Sequence, residues 1–350
     1  MPYKSFLTFP ESDWRQLTVM EVSFILINEH RMKVRAINKE NFFSCLQEQE
    51  RPWKGNYLAM YATQWQGITK DPDLMMAPID DHLVHRGDGV FDVMRCVRGR
   101  VYQMEAHLRR LERSAQAISL RMPSEYDRIR ELLKALVLAG GEKECLIRVI
   151  LSRGPGSFST NPYDCPRSHI YANVVRYRGY PETLYREGIR LMTSRVPIKN
   201  PFFARIKSCN YLPNVLMTKE AVDAGCQYAV ALDDEGFLAE GATENVGVVT
   251  RDGALKFPEF ERTLSGTTAD RVYELARPLV QEGHEAREVL LTGTSLNVMP
   301  VVAYDGRTIG TGTPGPVHGR LSELLCRDMT DNETLLTPID WGSEWAAPAA

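Results

Sequence analysis

Arg205-Ile206-Lys207-Ser208-Cys209-Asn210-Tyr211-Leu212-Pro213-Asn214 is the stretch on which the fold is decided, because two further motifs follow it in order. Ala239-Glu240-Gly241-Ala242-Thr243-Glu244-Asn245 comes next, then Leu264-Ser265-Gly266-Thr267-Thr268. A lysine can condense with an aldehyde, a carboxylate can hold the proton of a pyridinium nitrogen, and a Gly-Thr-Thr at a helix start can bind a phosphate. Those three handles occur together on pyridoxal 5′-phosphate (PLP). Each motif alone has an ordinary explanation. Most lysines are solvated surface charges, Glu240 can be a solvated turn carboxylate, Glu244 and Asn245 are common turn residues, and a Thr at that point can be a plain helix cap. The ordered set is what points to a cofactor.

Composition leaves room for such a protein and excludes several others. At 350 residues the chain suits one large domain or two, and 43% apolar with 25% charged residues is the globular range. Lysine plus arginine number 42 against 45 acidic residues, a net charge of -3, so there is no general drive toward nucleic acid or an anionic membrane. The 7 cysteines are scattered, odd in number and without C-x-x-C spacing. That pattern argues against a disulfide framework or zinc ribbon and fits a reducing cytoplasm. Phe24-Ile25-Leu26-Ile27 is far too short to span a membrane, and the first residues lack the basic-then-apolar pattern of a signal peptide. A soluble cytoplasmic protein is expected.

Along the chain, residues 1–56 read as an N-terminal arm with a possible short helix and a charged Glu29-His30-Arg31 patch. Residues 57–176 read as a small α+β domain. A hairpin runs from Val90 to Val97, turns at Arg98-Gly99 and returns through Arg100 to Gln103. Leu108, Leu111, Ala115 and Ile118 repeat at helical spacing, as do Ile129, Leu132, Leu133, Leu136 and Val137. Strands are expected at Cys145–Ser152 and His169–Val175. Residues 177–188 lapse into an interdomain connection, and 189–335 form a larger, strand-rich domain, with 336–350 as a tail. In the larger domain, strands are expected around Tyr228–Leu232 and Val246–Thr250, each turning into a return strand. Helices are expected over Pro213–Ala224 and Thr268–Glu282.

Two other patterns carry less. Gly310-Thr311-Gly312-Thr313-Pro314-Gly315 formally matches a dinucleotide-binding G-x-G-x-x-G, but Pro314 and Pro316 remove backbone donors and too little regular sequence follows for a βαβ unit. It reads as a surface turn. His82 and His85 have metal-pair spacing, but their surroundings look like a loop and no further ligand cluster is evident, so no metal is expected.

With Lys207, Glu240 and the Gly266-Thr267-Thr268 turn in this order, the chain resembles the class IV (fold-type IV) PLP-dependent aminotransferases. That group includes branched-chain aminotransferases, D-amino-acid aminotransferases and 4-amino-4-deoxychorismate lyases. Further matches are His85-Arg86-Gly87-Asp88-Gly89-Val90-Phe91-Asp92, His107-Leu108-Arg109-Arg110-Leu111 and Thr292-Gly293-Thr294. The resemblance runs from Tyr57 to Leu325, and the residues before it lie outside. The run from Lys207 to Leu212, with Asp80-Asp81-His82, looks closest to D-amino-acid-transaminase-like members.

The resemblance implies an active site between a smaller N-terminal and a larger C-terminal domain, in a homodimer. Lys207 would be the Schiff-base lysine and Cα proton carrier, and Glu240 the partner of the pyridinium nitrogen. Arg110, with Thr267, Thr268 and Thr294, would hold the phosphate. Leu264 would pack on the ring, Asn245 would contact the cofactor, and Tyr211 would reach its phenolic oxygen. Phe91, Arg95, Arg148 and Ser295 would face the substrate. Where some D-amino-acid enzymes follow Arg-Gly with an Arg-x-His pair, Arg153-Gly154 is followed here by Pro155-Gly156-Ser157-Phe158. Arg148 instead matches a branched-chain-type arginine. The implied substrates are an amino acid, of D- or branched-chain type, and a 2-oxo acid. A pyruvate-releasing lyase using the same lysine is the alternative.

Overall fold

The computed structural model describes residues 34–281 and 288–343. The Phe24–Ile27 run, the Glu29-His30-Arg31 patch and the expected helix end at Glu282 lie outside them. Residues 34–51 belong to a separate unit. Among its described residues, α1 (Phe42–Gln47) begins where the Asn38 and Asn41 side chains take up free backbone N–H groups.

From Pro52 onward the chain builds two sheets. The first contains β1 (Tyr57–Ala62) and β2 (Gly67–Thr69), then α2 (His82–Arg86), β3 (Gly89–Val97) and β4 (Arg100–Tyr102). Next come α3 (Met104–Ala117), α4 (Ile129–Gly140), β5 (Cys145–Ser152) and β6 (His169–Arg176). After a stretch holding α5 (Glu182–Glu187), the second sheet starts with β7 (Ile189–Thr193), followed by α6 (Pro201–Ala204) and α7 (Leu212–Asp223). It continues through β8 (Tyr228–Leu232), β9 (Leu238–Gly241), β10 (Asn245–Val249), β11 (Leu255–Lys256) and α8 (Thr267–Gln281). Last are β12 (Glu288–Gly293), β13 (Asn297–Tyr304), β14 (Arg307–Thr308), α9 (Pro316–Asp331) and β15 (Leu336–Pro338).

The first sheet is antiparallel, in the order β15-β4-β3-β5-β6-β1-β2. α3 and α4 cover one face of it, and their apolar stripes meet β3, β5 and β6 in a core that includes Leu108, Leu111, Leu133, Leu136 and Ile147. The second sheet runs β11-β10-β12-β13-β7-β8-β9 and is mixed, since β7 lies parallel to both β8 and β13. Its ends approach where Glu240 of β9 pairs with Asn245 of β10. The fold is α+β, with both the helical stripes and the alternating strands behaving as their periodicities require.

Three local expectations are corrected. Residues 336–338, expected in the tail, pair as β15 with β4 at the edge of the first sheet. The Asp81–Arg86 segment, expected as a loop, is a helical turn, because the Asp81 carboxylate accepts from Leu83 N–H at 2.9 Å and Gly87 closes it at φ 64°. Finally, regular structure does follow Gly310–Gly315, namely the 16-residue α9. Its N-terminus is closed to a phosphate for a different reason. The buried Glu288 carboxylate accepts both Val317 N–H and His318 N–H at 2.9 Å.

Leu111 is fully buried on the helix that also carries His107 and Arg110. Leu111→Ala is expected to cost about 2–5 kcal/mol, through lost burial and a residual cavity. Denaturant unfolding of the purified variant measures it.

Candidate active site

Lys207 is held by its backbone before its side chain is considered. Its carbonyl accepts from Phe91 N–H at 2.9 Å, its N–H donates to Ser114 Oγ of α3 at 3.2 Å, and Cys209 N–H donates to Gly89 O at 2.9 Å. The segment after α6 therefore lies along the start of β3 as a short bridge, Val90 to Ser208. This aims Lys207 into a cavity of about 520 Å³. There Nζ donates to Tyr211 Oη at 3.2 Å and sits 4.9 Å from the Phe91 ring centroid. Burial, followed by the nearby Arg110 guanidinium, pushes the Lys207 amine down to about 8. Burial likewise raises the Tyr211 phenol, which stays protonated.

One end of the cavity is walled by a buried charge network. Arg110 places Nε and Nη2 on the two Asp92 carboxylate oxygens, both at 2.8 Å, and its Nη1 donates to Ser265 O at 3.1 Å. Burial would raise the Asp92 carboxyl, but Arg110 and then His107 hold it far below the usual carboxylate range. Burial pushes His107 down, so the ring is neutral. It therefore donates through Nδ1 to Asp92 Oδ1 at 2.8 Å, and Nε2 accepts from Thr267 Oγ1 at 3.4 Å.

Thr267 and Thr268 open α8, where helix geometry leaves N–H groups without helical acceptors. A Cβ on Gly266 would lie 1.9 Å from Asn245 Oδ1, so only glycine lets the helix start approach β10 this closely. Asn245 Nδ2 in turn donates to Leu264 O at 2.8 Å, while Leu264 N–H donates to Glu240 Oε2 at 3.0 Å. Leu264 is thus pinned from both sides. Glu240 sits in a small chamber adjoining the cavity, shared with Lys199, Lys207, Tyr211 and Glu244. Burial raises both carboxyls. Glu244 spends both oxygens on the backbone and hydroxyl of Thr243, whereas Glu240 keeps Oε1 free of any hydrogen bond among the described residues.

On the remaining wall are Phe91, Arg148, Thr294 and Ser295, together with Leu83, Leu146, Ile150 and Leu296. Arg95 is not among them. Its guanidinium lies 4.1 Å over the Tyr177 ring and donates to Asn297 Oδ1 at 3.1 Å, next to the cavity wall and not on it. His82 is also accounted for, with Nδ1 3.3 Å from Asp88 and Nε2 3.1 Å from Ser157 O. Asp92, His107, Ser114 and Thr292 join the candidate site here, although the sequence alone gives none of them a role. The 3–4 spacing of His107, Arg110 and Ser114 on the inward face of α3 was the available signal, since a buried arginine requires a buried counter-charge.

The residues suit PLP on structural grounds. The cavity offers a cation and a helix start for a phosphate, a partly deprotonated amine for an aldehyde, and a carboxylate behind for a pyridine nitrogen. Thr292 Oγ1 is buried on the cavity wall with no hydrogen-bond partner among the described residues.

Comparison with known proteins agrees. The family model for amino-transferase class IV matches residues 89–304. A chloroplastic D-amino-acid transaminase of Arabidopsis thaliana is 33% identical over 92% of this chain and 95% of its own. A branched-chain-amino-acid aminotransferase of Pseudomonas aeruginosa is 30% identical over 69% of this chain and 84% of its own. Among solved structures, a branched-chain amino acid aminotransferase of Escherichia coli superposes with a TM-score of 0.74, at 25% identity, over 81% of this chain and 100% of that one. Another solved branched-chain enzyme, holding pyridoxamine 5′-phosphate, superposes with a TM-score of 0.75 at 27% identity. The chain belongs to the class IV aminotransferase family. It is a PLP-dependent enzyme with the fold-type IV architecture. A match covering 92% of the chain also reaches into the first 50 or so residues, which carry none of the matching motifs.

Arg110→Ala is expected to weaken PLP binding at least about tenfold, as is Asp92→Asn, while exposed Arg109→Ala stays mild. Equilibrium titration of apo-protein with PLP reads all three. Because the folded-state Asp92 carboxyl is depressed, its stabilisation is present at neutral pH and is lost as pH falls below about 4. Asp92→Asn should flatten that acid limb of a denaturation-versus-pH curve.

Proposed function

We propose that Lys207 is the Schiff-base lysine of an aminotransferase that moves an amino group between an amino acid and a 2-oxo acid. The observation carrying this is the Lys207 amine, pushed down to about 8 and set 3.2 Å from Tyr211 Oη in the same cavity as Arg110 and the start of α8. Bound PLP supplies an electron sink for the pair left when the substrate Cα–H bond breaks. Lys207 Nζ, partly unprotonated near neutrality, would hold the cofactor through its aldehyde and would carry the substrate Cα proton. Glu240 holds a proton at the ring nitrogen, and its spare Oε1 supports that role over Glu244. Arg110, Thr267, Thr268 and Thr294 would hold the phosphate, Leu264, fixed by Asn245, would pack on the ring, and Tyr211, which orients Nζ, would donate to the cofactor's phenolic oxygen.

The substrate side chain meets Phe91, Leu83, Leu146 and Ile150, with Arg148 as the one cation on this wall, 5.9 Å from the Phe91 ring. An apolar amino acid of D- or branched-chain type fits the walls, and Arg148 suits the distal carboxylate of an acidic 2-oxo acid. Exposed Phe202, Phe203, Leu212 and Val215 support a homodimer that covers them. The unbridged cysteines support a reducing, cytoplasmic setting, and no helix among the described residues is long and apolar enough to cross a membrane.

Borohydride reduction of the PLP-loaded protein and peptide mapping should place the pyridoxyl group on Lys207. A label on Lys199 or Lys219 sinks the assignment. Amine transfer to 2-oxoglutarate from a panel of L- and D-amino acids defines the substrate, and pyruvate release without transfer would identify a lyase instead. Glu240→Gln should keep PLP but lower turnover by about two orders of magnitude, the usual effect of removing one electrostatic stabiliser. If Glu244→Gln shows that loss while Glu240→Gln remains active, the two roles are reversed.

A further inference from the structure

We infer that Tyr177, Tyr185 and Arg95 are positioning residues that hold the Thr294-Ser295-Leu296 turn in register to receive an anionic oxygen group in the cavity. This rests on the reading of the cavity as the PLP site. The turn joins β12 to β13 at the Gly293–Asn297 pair, with Asn297 at φ 60°. It lines the cavity, and its three backbone N–H groups find no acceptor among the described residues.

Two carbonyls of the same turn are engaged by phenols. Tyr177 Oη donates to Ser295 O at 2.7 Å, and Tyr185 Oη donates to Leu296 O at 3.0 Å. A peptide unit is planar with C=O and N–H pointing oppositely, so fixing Ser295 C=O against Tyr177 aims Leu296 N–H the other way. Burial raises both phenols, that of Tyr185 to about 12, so they remain donors throughout the working pH range.

Arg95 completes the grip. Its guanidinium covers the Tyr177 ring at 4.1 Å, and it donates to the Asn297 side chain at the base of the turn. Tyr177 and Tyr185 both lie in the stretch between the two sheets. The α5 segment can press this closely because Gly188, at φ 80°, would place a Cβ 2.2 Å from Val302 Cγ1. The connection between the sheets is therefore a strap that shapes one cavity wall, and a group on the turn can be either the cofactor phosphate or a substrate carboxylate.

The test uses Tyr177→Phe, Tyr185→Phe, their double variant and Arg95→Met, with Tyr304→Phe as control. Tyr304 bonds Thr193 at 2.7 Å and lies outside the cavity. Four quantities are read: PLP affinity of apo-protein, affinity of PLP-loaded protein for an unreactive aliphatic carboxylate, KM against kcat, and thermal midpoint. Each single tyrosine variant should weaken one anion about threefold to tenfold, the double variant more, with kcat within about twofold. A carboxylate on the turn raises the carboxylate Kd and KM alone, and a phosphate raises the PLP Kd alone. Either result supports the inference. Unchanged affinity for both anions in a folded double variant overturns it, as does an equal shift in Tyr304→Phe. Inorganic phosphate binding to apo-protein gives the same comparison whichever lysine carries the cofactor, so failure here is separable from failure of the Lys207 assignment.

Discussion

Asp92 has no access to solvent, and it can keep its charge there only while Arg110 and His107 lie against it. Burying a lone carboxylate is so costly that the three side chains must be fixed together or not at all. That requirement sets the distance between β3 and α3. It also spends two of the guanidinium's nitrogens on one side, leaving Arg110 no freedom to swing away from the cavity. Through the neutral His107 ring the constraint reaches Thr267, and through Arg110 it reaches the Ser265 carbonyl. The start of α8 is therefore fastened to the first sheet, although it belongs to the second half of the chain.

Lys207 sits on the other side of this arrangement, and its neighbours explain its chemistry. Arg110 and Lys199 both disfavour a further positive charge, while Asp92 and Glu240 oppose them, and burial outweighs all four. An amine left charged would be useless as a nucleophile near neutrality, so the proposed role of Lys207 depends on this desolvation. The Tyr211 ring lies between the two lysines, with Lys199 Nζ 4.8 Å from its centroid and Lys207 Nζ on its hydroxyl. The aromatic face shelters both cations without supplying a counter-charge that would restore the proton to Lys207.

Much of this was legible in the sequence because the signals are local. The hairpin around Arg98-Gly99, the apolar stripes of α3 and α4, and the Gly266-Thr267-Thr268 helix start each depend on a few neighbouring residues and were placed to within a residue or two. β12 and β13 were not. β12 is buried at all but its last residue and β13 from Val298 to Val301, so no alternation survives to mark a strand. β15 and the Glu288 cap on α9 were also missed, since both join residues distant in the chain.

By itself the sequence determined which chemical groups the protein carries and in what order, because a lysine, a carboxylate and a Gly-Thr-Thr turn keep their identities wherever they fold. Only the tertiary structure decided which of them meet. It gave Arg110 rather than Arg109 to the cavity, since helical phase turns one inward beside Asp92 and the other to solvent. It set Arg95 over the Tyr177 ring, and it left Glu240 with one oxygen free of hydrogen bonds among the described residues while Glu244 folded back on its own turn. Such choices depend on burial and on contacts between residues far apart in the chain, and neither is written in any local pattern.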